Sequence, residues 1–383
     1  MHILDLPAEI LSAILSWVPC NDLVLSVPLV CKYFRDLLIT EWYWRRRFVG
    51  LTAAQPLKVY KDLVLQQWQA ACLRYEDVTA EQKTITLSGP IGGVDCVHIL
   101  HPSSYGTGAV IVAGSRDSLV YIWRRRSSPR DMRSFTSQKL SGHKGWVWCL
   151  ASEPGRESAL LCSGSWDHTI NIWDIAVGQN IASIKKEHKS VVLSLTMPQP
   201  NQLVSTCQDK RVREIDLRQP IGVTICHTEH TQSVLSVAAN ERFIYSGSED
   251  KSVCVWDRRA HKLLQRIKLK KFIPSLCLDS DLLTLASGQG VNVYDARNGT
   301  LDLISSFVPE HSLPLTSVLH TLGTVATASK DGTVRLHSMA EGHRAIATLN
   351  NHRSDVTSLD FSKRTLAIAS ADTTVSLCSP KLL

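Results

Sequence analysis

The amino-acid sequence predicts an α plus all-β protein, with a small helical module at the front, a helical linker and a closed ring of seven β units. Apolar residues recur three and four positions apart in the first 50 residues, and this spacing is typical of amphipathic helices. From Gln82 onward, one template of short β-rich runs and turn residues returns seven times. Such internal repetition is typical of a repeat architecture.

Length and composition restrict the class of protein. The 383 residues suffice for two or three domains, and hydrophobic (44%) and charged (20%) fractions are ordinary for a globular chain. The net charge of +7 is spread thinly, unlike the concentrated basic face of a nucleic-acid reader. We therefore expect no nucleic-acid partner, and we interpret short basic clusters such as Arg45-Arg46-Arg47 as solvated surface.

Cysteine usage and the N-terminus predict the compartment. The eleven cysteines contain no C-x-x-C pair, which argues against a zinc ribbon, a thioredoxin-type site and a disulfide framework. Free thiols indicate a reducing compartment. Asp5 stands where a signal peptide would carry basic residues, and no apolar run reaches the length of a membrane span. We expect no membrane partner, and residence in the cytoplasm, the nucleus or both.

Helices account for the front of the chain. Apolar residues at helical spacing run from Leu6 to Val18 and again from Val30 to Leu38. Pro7, Pro19 and Pro28 suit helix starts, because a residue without an N–H fits the first turn.

The linker follows, because residues 57–75 form one more amphipathic pattern behind Pro56. We assign residues 1–50 to the helical domain, 51–81 to the linker and 82–383 to the β domain.

Seven copies of the template recur at nearly constant spacing. Four are clear, at 112–123, 161–174, 244–257 and 325–337; two are weaker, at 204–216 and 366–378; one is degenerate, at 285–295. Their turn residues are Asp117, Asp167, Asp209, Asp250, Gly288, Asp331 and Asp372, at intervals of 50, 42, 41, 38, 43 and 41 residues. In five copies a His precedes the aspartate by 20 to 24 residues.

Closure of the array into a ring follows from the cost of free edges. An open array would leave an unpaired sheet edge at each end, which invites aggregation. The seventh copy stops at Cys378 after three strands, whereas Lys83–Leu87 forms an orphan strand ahead of the first copy. We predict that these two pair.

A unit of roughly 40 residues with a His and a Trp-Asp signature resembles the WD-repeat family. The resemblance implies a seven-bladed propeller of four-stranded blades, in which one His, one Ser or Thr, one Asp and one Trp of a blade are linked by hydrogen bonds. Two copies carry the full set: His143, Ser163, Asp167 and Trp173, and His230, Ser246, Asp250 and Trp256.

Other copies depart from this pattern. The first has Gly93 in place of the His, and the third and sixth have Ile215 and His337 in place of the Trp. The seventh has Ile368 at the Ser position and Cys378 at the Trp position. The fifth lacks both His and Asp, so a distorted fifth blade is left open.

A Ser, a His and an Asp invite a hydrolase interpretation, but a nucleophile needs one exposed site rather than several buried copies. The sequence contains no phosphate-binding loop, nucleophile elbow, H-E-x-x-H or G-x-G-x-x-G motif. Neither H-x-x-H pair has a cysteine, Asp or Glu at the sequence spacing that metal ligands usually show. We interpret the recurring set as structural, and expect no enzyme, no metal site and no cofactor.

Residues 4–48 resemble the F-box, a three-helix module, at Leu6-Pro7, Glu9-Ile10-Leu11, Val18-Pro19, Val30-Cys31-Lys32 and Trp44. The resemblance implies a head that inserts apolar side chains into a Skp-type adaptor and through it joins a cullin–RING ubiquitin ligase. The residues we expect at that surface are Leu6, Pro7, Ile10, Leu11, Leu15, Leu23 and Val30. The alternative is that they form only a small core, although domains of about 40 residues rarely bury so many apolar side chains without a partner.

An F-box ahead of seven WD repeats resembles the F-box/WD-repeat substrate receptors. Three segments, at 143–150, 162–167 and 246–259, carry a closer likeness to one member of that family. The resemblance implies a receptor that holds a protein substrate on the propeller and acts by proximity. The rival hypothesis is a WD-repeat scaffold whose F-box-like head serves another complex, and adaptor binding separates the two.

The substrate is expected on the rim that holds the His loops and Asp turns, because those loops vary while the blades stay rigid. The candidates flanking those positions are Arg116, Lys144, Trp146, Trp166, Lys189, Lys330 and Arg353. Exposed Trp and Arg often dominate interfaces, but either Trp could equally pack between blades. Because Glu249 and Asp355 oppose the cations, the charges do not identify a phosphate pocket.

Overall fold

The computed structural model describes residues 6–52, 65–79, 82–101, 109–125, 135–155, 159–185, 187–218, 223–321, 323–340, 342–362 and 364–380. The helices are α1 (Ala8–Leu15), α2 (Cys20–Leu25), α3 (Lys32–Leu38), α4 (Glu41–Thr52) and α5 (Leu65–Thr79), with a 3₁₀ turn at Val27–Leu29. None of the described helices is long and apolar enough to cross a membrane.

Prolines begin the first helices of the head, as expected. Pro7 and Pro19 are the N-cap residues of α1 and α2, where the missing N–H has no consequence. Pro28 opens only the 3₁₀ turn, and α3 begins four residues later. The fully buried Trp44 lies on α4. Residues 6–52 of the head thus contain four α-helices.

The linker contains α5, which begins at Leu65 and ends at Thr79. The predicted helix over 57–75 overlaps it, and residues 57–64 lie outside the described residues. Trp68 and Cys72 of α5 are buried against Phe48 and Trp44 of α4 in one apolar cluster.

Seven four-stranded antiparallel sheets follow, one for each repeat. Blade one contains β2 (Val94–Leu100), β3 (Val110–Ser115), β4 (Leu119–Arg125) and β5 (Phe135–Ser141); blade two, β6 (Val147–Ser152), β7 (Leu160–Ser165), β8 (Ile170–Asp174) and β9 (Gln179–Ile184); blade three, β10 (Val192–Gln199), β11 (Gln202–Cys207), β12 (Val212–Asp216) and β13 (Val223–His227). Blade four contains β14 (Val234–Ala239), β15 (Phe243–Ser248), β16 (Ser252–Asp257) and β17 (Lys262–Lys268); blade five, β18 (Ser275–Asp279), β19 (Leu282–Ser287), β20 (Gly290–Asp295) and β21 (Asp302–Phe307). Blade six contains β22 (Leu315–Thr321), β23 (Thr324–Ser329), β24 (Val334–Ser338) and β25 (Ala345–Leu349); blade seven, β26 (Val356–Ser362), β27 (Thr365–Ser370), β28 (Val375–Pro380) and β1 (Gln82–Leu87).

The predicted closure is confirmed. β1 pairs antiparallel with β28, with Ile85 opposite Leu377 and Thr84 opposite Cys378. The first strands of neighbouring blades contact one another all around the ring, and blade seven contacts blade one. No propeller end is therefore left as an open edge, which removes the aggregation hazard of a linear array.

The fifth blade is complete despite its degenerate sequence. Its strands pair in one four-stranded sheet, and Leu283, Leu285 and Val293 are fully buried beside neighbouring blades. Because apolar packing and the backbone ladder suffice here, the missing His and Asp do not distort the sheet.

The linker helix lies against blades six and seven. The Asp77 carboxylate accepts a hydrogen bond from Arg364 Nε at 2.9 Å, and the Arg74 guanidinium lies 4.0 Å from the centre of the Phe361 ring. The turn at Gly323 (φ 88°) lies close to α5: a Cβ atom added at position 323 would stand 3.0 Å from the carbonyl oxygen of Ala71. These contacts involve the turns between first and second strands, so the linker meets the face opposite the Asp turns.

Candidate protein interaction site

The hydrogen-bonded set in blade two forms the base of the candidate rim. His143 Nδ1 lies 3.0 Å from Asp167 Oδ2 and His143 Nε2 lies 2.7 Å from Ser163 Oγ. The Trp173 indole donates to the same Ser163 oxygen at 2.7 Å. The Asp167 carboxylate also accepts the backbone N–H of Lys144 at 2.8 Å, so the network holds the loop that carries the rim residues.

Blade four repeats this arrangement. His230 lies 3.0 Å from Asp250 and 2.8 Å from Ser246, and the Trp256 indole donates to Ser246 at 3.0 Å. Ser163 and Ser246 are completely buried. A substrate cannot reach either hydroxyl, so the geometry supports a structural role for the set rather than a nucleophilic one.

The charge state of the set follows from its contacts. Burial alone would raise the pKa of Asp167, but hydrogen bonds from His143, Thr169 and the Lys144 N–H hold it well below its ordinary value. The pKa of Asp250 is likewise depressed, against the effect of burial, by Ser252, Thr231 and His230. Both carboxylates are therefore charged hydrogen-bond acceptors at neutral pH.

Incomplete copies use different side chains at the same places. In blade three, Arg213 Nη1 donates to Asp209 at 3.0 Å and reaches His188 at 3.2 Å. In blade seven, His352 Nδ1 lies 3.0 Å from Asp372, while its buried Nε2 has no hydrogen-bond partner among the residues that the structure describes. Ile368 stands where blades two, three, four and six supply a hydroxyl, from Ser163, Ser205, Ser246 and Thr327.

The assignment of Gly93 to the His position of the first copy was wrong. The Ile91 N–H donates to Asp117 at 3.0 Å, as the Lys144 N–H does to Asp167. The residue equivalent to His143 is therefore Pro90, and the Tyr121 hydroxyl supplies the missing donor to Asp117 at 2.7 Å. The weak sequence likeness around two adjacent glycines could not fix this alignment.

Three tryptophans form one cluster on the rim of blade two, which we call the tryptophan cluster: Trp146, Trp148 and Trp166. The Trp146 and Trp166 rings lie 4.6 Å apart, and the Trp148 ring lies 5.7 Å from that of Trp166. Trp146 and Trp166 are 38% and 41% exposed. The sequence left open whether each of these two tryptophans is exposed or packed between blades. In the structure both are exposed.

Arg116 borders the tryptophan cluster from blade one. Its guanidinium lies 5.1 Å from the centre of the Trp146 ring and donates from Nη2 to Asp95 at 2.9 Å. Hydrogen bonding to Asp95 raises the pKa of Arg116, so this cation is permanently charged and already paired. Such a stacked, paired arginine orients an aromatic surface more than it attracts an anion.

The remaining predicted rim cations are all exposed. Lys144, Lys189, Lys330 and Arg353 form no ion pair with another described residue. A channel of about 760 Å³ runs through the ring, and Arg116, Trp148 and Lys330 are among its lining residues.

Sequence reasoning missed three apolar residues on this side of the ring. Ile91, Phe272 and Leu313 are exposed in loops that lead into the first strands of blades one, five and six. Their positions in the repeat were available from the spacing, but their exposure was not.

The head presents a second candidate surface. Ile10 and Val30 are exposed, as is Pro7, and Leu6 is half-buried. The other three predicted residues require a correction: Leu11, Leu15 and Leu23 are buried in the core of the head. Leu11 and Leu15 face inward because residues four apart share one face of α1, and the opposite face looks outward.

That outward face contains residues the sequence reasoning did not select. On α1 and its end, Ile10, Ile14 and the 90% exposed Trp17 follow one another at helical spacing. Leu25 and Leu29 lie exposed at the end of α2 and in the 3₁₀ turn. The i, i+4, i+7 spacing was the signal that could have found the first group.

The interpretation of Arg45-Arg46-Arg47 as solvated surface was wrong for Arg47. Its side chain is buried and donates to the Leu15 carbonyl at 2.9 Å, to the Val18 carbonyl at 2.6 Å and to Glu76 at 2.6 Å. Arg47 thereby satisfies carbonyls at the end of α1, a need that the sequence alone does not reveal.

Metal-ligating residues form no compact group in the described part of the chain: no three His, Cys, Asp or Glu side chains there lie close enough to share an ion.

The sequence is similar to two protein families and to several known proteins. Residues 3–49 match the F-box-like family, and residues 135–174, 220–257 and 343–379 match the family described as WD domain, G-beta repeat. The chain is 32% identical to F-box/WD repeat-containing protein 9 of Bos taurus over 366 residues, 91% of this chain and 77% of the relative.

The names of two further relatives also contain both F-box and WD repeat. The Homo sapiens protein 9 is 32% identical over 362 residues, 90% of this chain and 76% of the relative. F-box/WD repeat-containing protein mec-15 of Caenorhabditis elegans is 25% identical over 408 residues, 99% of this chain and 96% of the relative. The closer likeness carried by the three propeller segments was to protein 9, and these matches confirm it.

Proposed function

The chain belongs to the F-box/WD-repeat family, and from that membership we propose that it is the substrate-recognition subunit of a Skp–cullin–F-box type ubiquitin ligase. The head, residues 1–50, docks on a Skp-type adaptor, and the propeller, residues 82–383, holds the protein substrate. The chain makes and breaks no covalent bond but brings the substrate to the ligase, so that its contribution is proximity. It works in the cytoplasm, the nucleus or both.

The observation that carries this proposal is the apolar face of the head. Ile10, Ile14 and Trp17 form an exposed stripe along α1 and just past its end, which we call the α1 stripe. Leu25, Leu29 and Val30 are exposed from the end of α2 to the residue after the 3₁₀ turn. Large apolar side chains concentrated in so short a segment are typical of a protein interface. The revised adaptor surface therefore comprises Leu6, Pro7, Ile10, Ile14, Trp17, Leu25, Leu29 and Val30.

The relation of the head to the rim supports the same role. The linker helix α5 contacts the face of blades six and seven that carries the turns between first and second strands. The tryptophan cluster and the exposed lysines lie at the opposite ends of the strands. A receptor with this geometry can be held by the ligase at one face while the other stays open to a substrate.

Co-purification with a Skp-type adaptor tests the proposal. The double substitution Ile14→Glu, Trp17→Ala places a charge on the α1 stripe without touching the core residues of the head. A matched control, Ile181→Glu, changes an exposed apolar residue on the outer strand of blade two. We expect the first variant to lose the adaptor and the control to keep it, with both chains folded.

The rival hypothesis gives a different result. If the head serves another complex, the unmodified chain does not capture the adaptor at all. Retention of the adaptor by the Ile14→Glu, Trp17→Ala variant would show that the α1 stripe is not the docking surface.

A further inference from the structure

The rim beside the tryptophan cluster is strongly basic. Lys144 lies two residues before Trp146 on the same loop, and Lys185 and Lys189 lie on the next loop around the ring. Lys210 follows in the Asp turn of blade three. All four are exposed, and none forms an ion pair with another residue in the described ranges. We call these four residues the basic sector.

Acidic groups nearby do not neutralise the basic sector. Asp167 is held by His143 and Thr169, and Asp209 is paired with Arg213. Glu187 is the one other carboxylate in these loops among the described residues, and it is half-buried. The sector therefore has an excess of positive charge, which attracts an anionic partner.

Elsewhere the rim has mixed charges. Lys330 and Arg353 on blades six and seven share their side of the ring with Glu310 and Asp355. Arg116, next to the tryptophan cluster, is neutralised by Asp95. Lys270 and Lys271 form another exposed basic stretch, but it lies beside one exposed ring, that of Phe272. The combination of a cluster of aromatic rings with exposed cations on the same and the next loop thus occurs at blades two and three.

We propose that this surface binds an acidic peptide segment of the substrate, with one bulky apolar side chain seated on the tryptophan cluster and a run of Asp or Glu residues along the basic sector. This inference rests on the proposed function, since it names the substrate class of the same rim. Trp148 lines the mouth of the central channel, which gives the apolar side chain a place partly shielded from water.

The chemistry of the cations favours carboxylates over a phosphate. A phosphate group is best held by convergent guanidinium groups that donate in pairs. Arg116 donates from both Nε and Nη2 to Asp95, and Arg213 is bound to Asp209. The free cations of the sector are lysines spread over three loops, which suits several separate carboxylates.

Selection from an unphosphorylated 12-residue peptide phage library tests this inference. The full chain is the bait, and counter-selection on the Trp146→Ala, Trp166→Ala variant removes peptides that bind the apolar head. Both tryptophans are exposed, so we expect that variant to keep its melting temperature. The enriched peptides should contain a Trp, Phe or Leu next to several Asp or Glu residues.

Charge reversal then measures the contribution of the basic sector. Lys144→Glu, Lys189→Glu should weaken binding of an enriched synthetic peptide at least about tenfold, and added salt should weaken it in the unmodified chain. The matched control, Arg259→Glu, Lys262→Glu, reverses two exposed cations at the opposite end of blade four and should leave binding unchanged.

Several results would overturn the inference: enrichment of neutral or basic peptides, equal binding by the Lys144→Glu, Lys189→Glu variant, or no enrichment at all. Binders obtained only from a phosphopeptide library would replace it with phosphate recognition. Adaptor capture is measured separately and needs neither tryptophan, so loss of the proposed function and loss of this inference are distinguishable.

Discussion

Arg47 on α4 donates from Nη2 to Glu76 on α5 at 2.6 Å, while Glu76 accepts the backbone N–H of Cys20 at 2.7 Å. This pair joins the head to the linker helix. Arg47 is buried and Glu76 is three-quarters buried, so the two opposite charges compensate each other where little water can reach them.

Replacing Arg47 should therefore destabilise the head. Arg47→Met keeps the bulk of the stem but removes the cation that pairs with Glu76 and the donor to the Leu15 and Val18 carbonyls. We expect a loss of about 3 kcal/mol of unfolding free energy, measured by urea unfolding. The control is Arg45→Met on the exposed face of the same helix, which should change stability little, and an equal effect of the two variants would contradict this role.

Removal of one member of a blade network should destabilise the propeller. Asp167→Ala removes the carboxylate that pairs with His143 Nδ1 and accepts the Lys144 N–H and the Thr169 hydroxyl. Such a loss costs about 1 to 3 kcal/mol, which lowers the melting temperature. Asp302→Ala, at an exposed position on β21, serves as the control. An unchanged melting curve for Asp167→Ala would refute the structural role.

Blade seven offers a matched pair of substitutions. Within the described ranges the buried Nε2 of His352 has no hydrogen-bond partner, because Ile368 supplies no hydroxyl. Ile368→Val and Ile368→Thr both shorten the side chain, but only threonine adds a hydroxyl, as Thr327 does for His311 at 2.9 Å in blade six. We expect the threonine variant to be more stable than the valine variant by about 1 kcal/mol.

Equilibrium unfolding in urea compares the two. A valine variant as stable as the threonine variant would show that His352 gains nothing from the hydroxyl.

Acid should weaken the fold through buried histidines. Burial lowers the pKa of His320 and of His337 to about 4, and burial together with the Arg213 charge lowers that of His188 to about 4. Between pH 6.5 and 4 the unfolded chain binds protons at these sites and the folded chain does not. Stability is therefore lost as the pH falls through this window, by about 1.4 kcal/mol per pH unit for each group.

Urea unfolding at pH 7.5, 6 and 5 measures this slope. His320→Asn should make it shallower, because one group with a depressed pKa is removed. A slope unchanged by that substitution would exclude His320 as a contributor.

Much of the fold was predictable because its signals are local. Seven turn positions, six aspartates and Gly288, and their spacing predicted seven blades, and the orphan strand at Lys83–Leu87 predicted pairing with the segment that ends at Cys378. The fifth blade shows where such local signals lose force. Its missing His and Asp suggested distortion, yet buried Leu283 and Leu285 complete the sheet.

The candidate sites were predictable only in part. Trp146 and Trp166 were selected from the sequence as candidate rim residues, but their exposure and mutual contact depend on how blades one and two pack. In the head, Leu11 and Ile14 are equally apolar in the sequence, and only one of them faces solvent. Which side of α1 the other helices cover is a property of the packed structure.

The order of residues alone therefore decides the number of blades, the strand that closes the ring and the helical character of the head, since periodicity and turn chemistry act over a few neighbouring positions. Packing in three dimensions decides which apolar and charged groups remain available to partners. Arg47 is the clearest case, because its burial depends on carbonyls at the end of α1 and on Glu76, groups that only the folded chain brings together.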